Sequence, residues 1–258
     1  MTKKDKLFLG LLLLGPFFSF LPQYVSPVIM CWLDLPYYFL PVRELCASIV
    51  RSGILPLWNP YIYCGTPLLA NMQSAVFDPL SIFMYVFPSP VAFKIVTFVA
   101  FYIAAVFTYA FVRRYGVSEE GALIAACVYS FTFYMRVKAV ELADLHVMIW
   151  MPAVLFFAGK FLQQGKLYDM VFTSLVLSLS FLGGHPQVFF YVFILFTAIY
   201  FYDAITTGVD KKKYIKDFIF INLLFGAIVL LQALPSLEFV MLRRHGSELR
   251  CRVSASAL

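Results

Sequence analysis

Charged residues are scarce in this chain. Asp, Glu, Lys and Arg make up 13% of its 258 residues, whereas 62% are hydrophobic. The charged share is about half of that in a typical soluble domain. A soluble fold of this length has too little interior to bury so much apolar surface. The composition therefore argues against a water-soluble protein and predicts a membrane protein.

The cysteines lack the spacing of a metal or redox motif. None belongs to a CxxC pair or to a zinc-ligand pattern. Three lie in the first long loop predicted below, where free thiols are the favoured interpretation and a disulfide is the alternative. The five cysteines are Cys31, Cys46, Cys64, Cys127 and Cys251.

The first apolar run extends from Leu7 to Met30 and follows the basic start MTKKDK. It resembles a signal peptide, but no small-x-small cleavage site follows it. About 20 apolar residues are enough to span a bilayer. We predict an uncleaved first transmembrane helix, kinked near Pro16, whose basic N-terminus stays in the cytoplasm.

Six further apolar runs predict an all-α polytopic membrane protein with about seven transmembrane helices. Several runs are short for a full crossing, so the boundaries are approximate. The runs lie at about 91–112, 120–135, 147–162, 168–183, 187–203 and 218–234.

Basic residues are distributed unequally between the predicted loops. No nucleic-acid motif accompanies the net charge of +6, and the positive-inside rule accounts for the distribution. The short outer loops hold Arg136 and Lys138, while the tail after Leu234 departs from the rule with four arginines. The predicted cytoplasmic residues are Lys3, Lys4, Lys6, Arg113, Arg114, Lys160, Lys166, Lys211, Lys212, Lys213 and Lys216.

Acids and histidines concentrate at the predicted outer face, whereas the cytoplasmic loops are short connectors. Any chemistry is therefore expected on the extracytoplasmic side. The outer residues are Asp34, Glu44, Asp78, Glu141, Asp144, His146, His185, Glu238 and His245.

The first outer loop, at about 31–90, contains a predicted amphipathic helix over 42–52. Pro41 suits its first turn and Gly53 its end. One face of the helix is apolar, and the other carries polar residues that include Arg43. We expect the helix to lie flat in the membrane interface.

The stretch after this helix is rich in Pro, Gly, Asn and aromatic residues. Its prolines restrict the backbone. Trp58 is a typical interface side chain, and Asn59 and Gln73 can bind hydroxyl or backbone groups. The stretch is either a rigid lid over the spans or an aromatic belt that only anchors the chain.

Asp34 lies just outside the first predicted span, among apolar neighbours. An acid at that depth is costly unless it is paired or functional. The position suits a general base. The alternative is an interfacial carboxylate solvated by water.

Several short motifs follow one another along the chain. They are Asp34 with Pro36, PVR from Pro41, GILPLWNP from Gly53, GTP from Gly65, NMQ from Asn71, DP from Asp78, WMP from Trp150, GHPQ from Gly184 and LQALPSLE from Leu231. In this order they resemble the first half of bacterial YfhO-type membrane proteins. That family is similar to the GT-C class of polytopic glycosyltransferases, which use polyprenyl-phosphate sugars as donors.

The resemblance implies where a reaction centre would lie. In the GT-C class an acid of the first outer loop acts at the reaction centre, and by position it corresponds to Asp34. A second acid, between the third and fourth spans, corresponds to Glu141 or Asp144, unless that loop is merely solvated. His185 is either a phosphate donor or a core-capping imidazole.

The resemblance also implies partners and a location. The partners are a polyprenyl-phosphate-linked sugar, membrane lipid and a cell-envelope acceptor, with no nucleic acid. The location is the bacterial cytoplasmic (inner) membrane, multi-pass, with a cytoplasmic N-terminus. Arg51 and the other basic residues of the outer face could bind the donor phosphate. The alternative is a bound divalent cation that stabilises the leaving phosphate, and the residues alone do not decide between the two. The predicted phosphate- or substrate-binding residues are Arg43, Trp58, Asn59, Gln73, Arg136, Lys138, His185, Gln187 and Glu238.

The end of the chain departs from the family pattern. Family members are usually longer, with further spans. We therefore predict a GT-C-like transmembrane module over 1–240 and an atypical tail over 241–258, best explained by a truncation or a frameshift.

These observations predict sugar transfer from a polyprenyl-phosphate donor to an envelope acceptor. One alternative is a transporter or flippase for a lipid-linked molecule. Transporters place polar groups near the bilayer midplane, whereas the acids here lie at one face, which disfavours that class. The other alternative is a non-catalytic fragment.

Overall fold

The computed structural model describes residues 2–26, 34–208 and 210–255, with side chains as far as Leu242. Within these ranges the fold is helical apart from a two-stranded sheet, β1 (Trp58–Asn59) and β2 (Thr66–Pro67). A π-helix covers Leu35–Phe39, and a 3₁₀ turn covers Met72–Ser74. The α-helices are α1 (Lys3–Ser19), α2 (Leu21–Val25), α3 (Leu40–Arg51), α4 (Ser81–Val86), α5 (Ser89–Arg114), α6 (Glu119–Phe131), α7 (Phe133–Lys138), α8 (Leu142–Met148), α9 (Met151–Gln164), α10 (Leu167–Leu182), α11 (Pro186–Thr206) and α12 (Lys211–Ala255).

Among the described residues, four helical segments are long and apolar enough to cross a membrane. The helix α10 is apolar but has only 16 residues. The protein is therefore an α-helical, membrane-embedded protein, as the composition predicts. The count of seven spans stays a prediction, and part of the first predicted span lies outside the described residues. The four segments are Ser89–Arg114, Leu142–Gln164, Pro186–Thr206 and Lys211–Leu242.

Sequence signals account for several helix ends. Basic Arg113 and Arg114 occupy the last turn of α5, where they complement the partial negative charge of the helix terminus. Gly165 ends α9 in the left-handed conformation, with φ of 65°. Short connectors then reverse the chain, so consecutive long helices run antiparallel.

Small side chains let the long helices approach closely. Ala92, Ala100 and Ala104 lie on one face of α5 and are fully buried. This helix packs against both α6 and α9, as expected where small residues line a helix contact in a membrane. Aromatic rings fill the remaining core, for example Phe20 against Phe101, with ring centroids 4.8 Å apart.

The antiparallel order gives the bundle two distinct ends. We call one the connector end; it contains residues 2–6, 113–119, 160–169 and 203–214. The other is the loop end; it contains residues 34–88, 132–150 and 183–186. The loop end corresponds to the predicted outer face, and the connector end to the predicted cytoplasmic face.

The first loop folds as a layer on the loop end. The helix α3 packs against α4 and the π-helix. Val42, Cys46, Leu68, Leu69 and Val76 form a hydrophobic cluster of their own. The helix predicted over 42–52 is thus present as α3, while its orientation in the membrane stays a prediction.

A small hairpin extends from this layer. The strands pair antiparallel, with Trp58 opposite Pro67 and Asn59 opposite Thr66. Its tip contains three consecutive residues with positive φ: Tyr63, Cys64 and Gly65. A Cβ atom at Gly65 would overlap the Trp58 ring, so only glycine fits there.

The prediction that Arg43 lies on the polar, solvent-facing side of its helix is wrong. Its side chain is 2% exposed and faces the same side as Cys46 and Ala47. The reason is a buried partner: Asp78 lies in the loop that packs on this face, with its carboxylate 3.8 Å from the guanidinium. A charge buried with an opposite charge is tolerated, whereas helical periodicity alone assigns it to water.

Candidate functional site

A cluster of ionisable side chains lies at the loop end, where α7, α8 and α11 meet. Lys138 forms ion pairs with Glu141 and with Asp144, and the Nζ to Asp144 Oδ2 distance is 2.6 Å. His185 Nε2 lies 3.2 Å from the other oxygen of Asp144. We call Lys138, Glu141, Asp144 and His185 the charged cluster. Three of the predicted site regions therefore meet at one place.

Local sequence positions the lysine and its partners. Thr132 caps α7 by accepting a hydrogen bond from the Met135 amide. Lys138 then falls in the last turn of that helix, and Asp144 falls in the first turn of α8. Each charge complements the dipole of its own helix. The tight turn between the two helices brings the charges together.

Two opposing influences act on the lysine. Burial lowers the pKa of Lys138, but its hydrogen bonds to Asp144 and Glu141 outweigh burial and raise the pKa overall. The ammonium therefore stays protonated. Because two carboxylates share it, the cluster carries a net negative charge when His185 is neutral.

His185 caps a helix. Its Nδ1 accepts a hydrogen bond from the Val188 amide, at 3.3 Å, as the N-cap of α11. An accepting Nδ1 assigns the proton of the neutral ring to Nε2, which then donates to Asp144. Both nitrogens are engaged, so this geometry favours the capping interpretation over the phosphate donor.

A second polar group lies deeper, between the loop layer and the bundle. Arg43 Nη1 donates to Ser81 Oγ at 2.7 Å, and His146 Nδ1 forms a hydrogen-bonded pair with Asp78. His146 is 1% exposed. We call Arg43, Asp78, Ser81 and His146 the buried ion network. It connects α3, the first residue of α4 with the segment before it, and α8.

The buried ion network carries unusual electrostatics. Burial lowers the pKa of Arg43, and the nearby Asp78 carboxylate offsets part of that effect. Within the described residues, Arg43 Nε, Arg43 Nη2 and His146 Nε2 are buried without a hydrogen-bond partner. Buried polar atoms without partners are rare in folded proteins and costly. The network therefore holds the loop layer at an energetic cost.

The two groups are joined through one helix. Asp144 of the charged cluster and His146 of the buried ion network are both on α8. The helix α8 therefore contacts the loop layer through His146 and the charged cluster through Asp144.

Two glycines bring the loop layer onto the turn before α11. Gly184 has φ of 101°, and a Cβ there would overlap the Met72 carbonyl oxygen. A Cβ at Gly183 would come within 2.8 Å of the His146 backbone. The GGHPQ motif thus allows close backbone approach on both sides. Gln73, a predicted site residue, follows Met72 and lies beside this turn.

The helix α12 holds the same layer from another side. Gln232 Nε2 donates to the Leu69 carbonyl at 2.6 Å, and Ser236 Oγ donates to the Ala70 carbonyl at 2.9 Å. Both residues belong to the LQALPSLE motif. Glu238, further along this helix, is exposed.

The other predicted basic residues have different environments. Arg51 donates to the carbonyls of Met84, Tyr85 and Phe87 and so caps the end of α4. Arg136 is exposed, donates to the Ser19 carbonyl and lies over the Phe20 ring.

The remaining predicted residues are spread over the loop end. Asp34 is exposed immediately before the π-helix, Trp58 and Asn59 form β1, and Gln187 donates to the Tyr191 hydroxyl at 2.9 Å.

A metal site does not fit these residues. The described part of the chain contains no group of three or more His, Cys, Asp or Glu side chains that could hold an ion. In the charged cluster, the ammonium of Lys138 already occupies the position between the carboxylates. A divalent cation would have to displace it.

Sequence reasoning missed the pairing of Asp78 with His146. Both residues are on the predicted outer face, and Asp78 begins the DP motif. A buried acid opposite a buried histidine is visible only in three dimensions, because 68 residues separate them.

Comparison of the chain with protein-family models, with curated proteins and with solved structures finds no match.

Proposed function

We propose that the protein is a membrane glycosyltransferase-like protein. It transfers a sugar from a polyprenyl-phosphate donor to a cell-envelope acceptor on the extracytoplasmic face of a bacterial inner membrane. The observation that carries the proposal is the charged cluster at the loop end, next to the turn at Gly184 that the first loop contacts. The resemblance to YfhO-type proteins supplies the chemistry.

The proposed topology has seven spans and a cytoplasmic N-terminus. Under this topology the connector end faces the cytoplasm and the loop end faces outward. The charged cluster then lies at the membrane surface, where an undecaprenyl-type tail stays in lipid while its phosphate and sugar reach the aqueous side.

Carboxylates supply the base in this proposal. Glu141 is the more accessible acid of the charged cluster, with 24% of its side chain exposed against 7% for Asp144. A carboxylate of Glu141 or Asp34 takes the proton from an acceptor hydroxyl. The hydroxyl oxygen then attacks the anomeric carbon, and the polyprenyl phosphate leaves. A positioned base contributes about 10²–10⁴-fold to such a step.

Arg136 is the proposed ligand of the donor phosphate. Arg43 is buried, Arg51 caps α4, and Lys138 is held by two carboxylates. Arg136 is exposed at the C-terminal end of α1, beside Phe20. A guanidinium can bind two phosphate oxygens at once.

A transporter or flippase gains no support from the described helices. The buried serines of α10, such as Ser174 and Ser178, bond to carbonyls one turn earlier in their own helix. Their hydroxyl protons are therefore engaged within the helix and are not donors for a substrate in the membrane.

The test is a transfer assay with the protein in lipid nanodiscs and a panel of polyprenyl-phosphate sugars. Asp34→Asn, Glu141→Gln and Arg136→Gln are compared with the unaltered chain. We expect Asp34→Asn to insert normally and to lose at least about tenfold to a hundredfold in rate, as for a lost base. We expect Arg136→Gln to raise the donor concentration needed for half-maximal rate.

The matched control is Lys166→Gln at the connector end, which removes a charge of the same sign far from the cluster. Equal losses in the control and the site variants would contradict the assignment. So would full activity of both acid variants.

A further inference from the structure

A cleft separate from the charged cluster opens in the loop layer. It lies between α3 and the chain around β1 and encloses about 280 Å³. Tyr37, Tyr38, Glu44, Ser48, Asn59 and Tyr61 are among its lining residues. We call it the tyrosine cleft. Its volume is just below the range of about 300–1,000 Å³ for small-molecule sites.

The cleft presents flat aromatic faces to solvent. Tyr37 is 87% exposed and Tyr61 is 81% exposed. Exposed apolar surface that groups around a concavity marks a binding site more often than scattered surface residues do. A tyrosine ring offers a large contact area and few rotatable bonds, so little entropy is lost when a ligand packs on it.

The cleft also contains an unused hydrogen-bond donor. Asn59 is 4% exposed, and its Oδ1 accepts from the Tyr61 amide at 2.9 Å. Within the described residues its side-chain nitrogen has no hydrogen-bond partner. An amide nitrogen at the wall of a cleft, without a protein partner, can donate a hydrogen bond to an acceptor oxygen of a ligand.

The charge of the cleft narrows the class of ligand. Glu44 is half-exposed in the lining and pairs with Arg51 at 3.6 Å. A carboxylate accepts hydrogen bonds from hydroxyls and repels phosphates. It is also costly against lipid tails. Anions and acyl chains are therefore disfavoured.

Membrane contact is better served by a neighbouring segment. Ile54, Leu55, Leu57 and Trp58 are exposed, and they are not part of the cleft lining. They provide the apolar and aromatic surface that an interface segment needs.

From these observations we propose that the tyrosine cleft binds a neutral saccharide of one or two rings. The apolar C–H faces of a sugar ring pack on Tyr37 and Tyr61. The sugar hydroxyls donate to Glu44 and accept from Asn59. Saccharide binding does not need a transfer reaction, whereas the role of the cleft as the acceptor site rests on the proposed function.

The experiment is saturation-transfer NMR with the protein in nanodiscs and with the disaccharides maltose, cellobiose and chitobiose as probes. We expect ring-proton signals from at least one of them. Tyr61→Ala and Tyr37→Ala should each weaken that binding by about tenfold, the effect of losing one stacking contact. Glucuronic acid is expected to bind more weakly than the neutral probe and to gain when Glu44→Gln removes the repulsion.

Tyr63→Ala is the matched control, because Tyr63 is 92% exposed in the same hairpin and is not part of the lining. Equal effects of Tyr61→Ala and Tyr63→Ala would overturn the proposal, as would no binding of any neutral probe. A membrane contact would overturn it too: in a chain whose Trp32, Trp58 and Trp150 are replaced by Phe, quenching of a Tyr61→Trp fluorophore by brominated lipid would show that the cleft faces acyl chains. Transfer activity without saccharide binding in this cleft would also refute it while leaving the proposed function intact.

Discussion

The two ends of the helix bundle use polar residues in different ways. At the connector end, ion pairs tie helix ends directly to one another: Arg113 to Asp5 at 3.1 Å, Lys160 to Asp169 at 2.9 Å, and Arg114 to Asp203. The connectors themselves are short. The loop end adds a separate layer with its own hydrophobic cluster and a buried ion network beneath it. A helix bundle that only crosses a membrane needs no more than short connectors and ion pairs, as at the connector end. The additional layer at the loop end therefore indicates where function lies.

The largest expected effect comes from the buried ion network. Asp78→Asn leaves the Arg43 charge buried without its counter-ion, which typically costs about 3–5 kcal/mol. We expect the free energy of unfolding in detergent to fall by that amount, and protease cleavage in the first loop to rise. Denaturant unfolding and limited proteolysis measure both.

Two controls sharpen this result. Glu120→Gln at the connector end removes an exposed partner of Lys4 and is expected to leave unfolding unchanged, since exposed pairs contribute little. Arg43→Met combined with Asp78→Leu and His146→Phe should recover much of the loss, because no member of the buried ion network is then left without its partner. An Asp78→Asn variant as stable as Glu120→Gln would show that the two ends do not differ.

Thiol labelling compares a buried and an exposed residue of the same loop layer. Burial raises the pKa of Cys46 to about 11, whereas Cys64 is exposed at the hairpin tip. The thiolate is the reactive form, so at pH 8 only about a thousandth of Cys46 is reactive. In single-cysteine variants we expect Cys46 to react with maleimide at least about a hundredfold more slowly than Cys64. Its rate should rise about tenfold per pH unit up to pH 11.

The same reagent tests the topology in intact cells. An impermeant maleimide should label Cys64 and should leave a cysteine placed at Lys212 unlabelled. Labelling at Lys212 from outside would reverse the assignment of the two ends.

Glycine substitutions provide the next comparison. Gly184 and Gly116 both have positive φ, 101° and 76°, but a Cβ meets the Met72 carbonyl oxygen at the first and open space at the second. Gly116→Ala is expected to cost about 1 kcal/mol for the left-handed backbone alone. Gly184→Ala should cost at least about twice as much, because the loop layer must also shift. Melting curves of the two variants measure the difference, and equal costs would show that the layer does not rest on this turn.

The smallest expected effect concerns α12. Gln232→Leu removes the amide that binds the Leu69 carbonyl and leaves that acceptor without its partner. We expect the free energy of unfolding to fall by about 1 kcal/mol. Asn222→Leu is the control, because the Asn222 amide binds only the Phe218 carbonyl of its own helix. Hydrogen exchange of the first loop should increase in the Gln232 variant and stay unchanged in the Asn222 variant.

Composition and periodicity predicted the coarse architecture well. Apolar runs at 91–112 and 187–203 correspond to α5 and α11 within a few residues. The agreement arises because lipid-facing and core-facing positions are both apolar, whereas polar residues, Gly and Pro occur at the helix ends. The helix over 42–52 was equally accessible, since Pro41 and Gly53 delimit it. These features depend on neighbours in sequence.

Pairings across the chain were not accessible in this way. Arg43 looked like a solvent-facing charge. Nothing within its own helix indicates that the loop with Asp78 packs over it and supplies a buried counter-ion. His185 looked like a phosphate ligand or a capping group, and the hydrogen bond to the Val188 amide favours the cap. The assignment of Asp34 and of Glu141 or Asp144 to one reaction centre stays a prediction. Each of these depends on which segments meet, and a single sequence does not specify that.

The length of α12 sets a height above the bilayer. A helix rises 1.5 Å per residue, so the 32 residues from Lys211 to Leu242 extend about 48 Å, against about 30 Å of hydrocarbon. With the lysines at its start in one headgroup layer, as the proposed topology has them, Gln232 would lie about 32 Å away, near the opposite layer. The hydrogen bonds to the carbonyls of Leu69 and Ala70 fix the first loop to the helix at that level. In a thinner membrane α12 would tilt, and the first loop would move closer to the lipid. The activity at the loop end would then depend on the thickness of the bilayer.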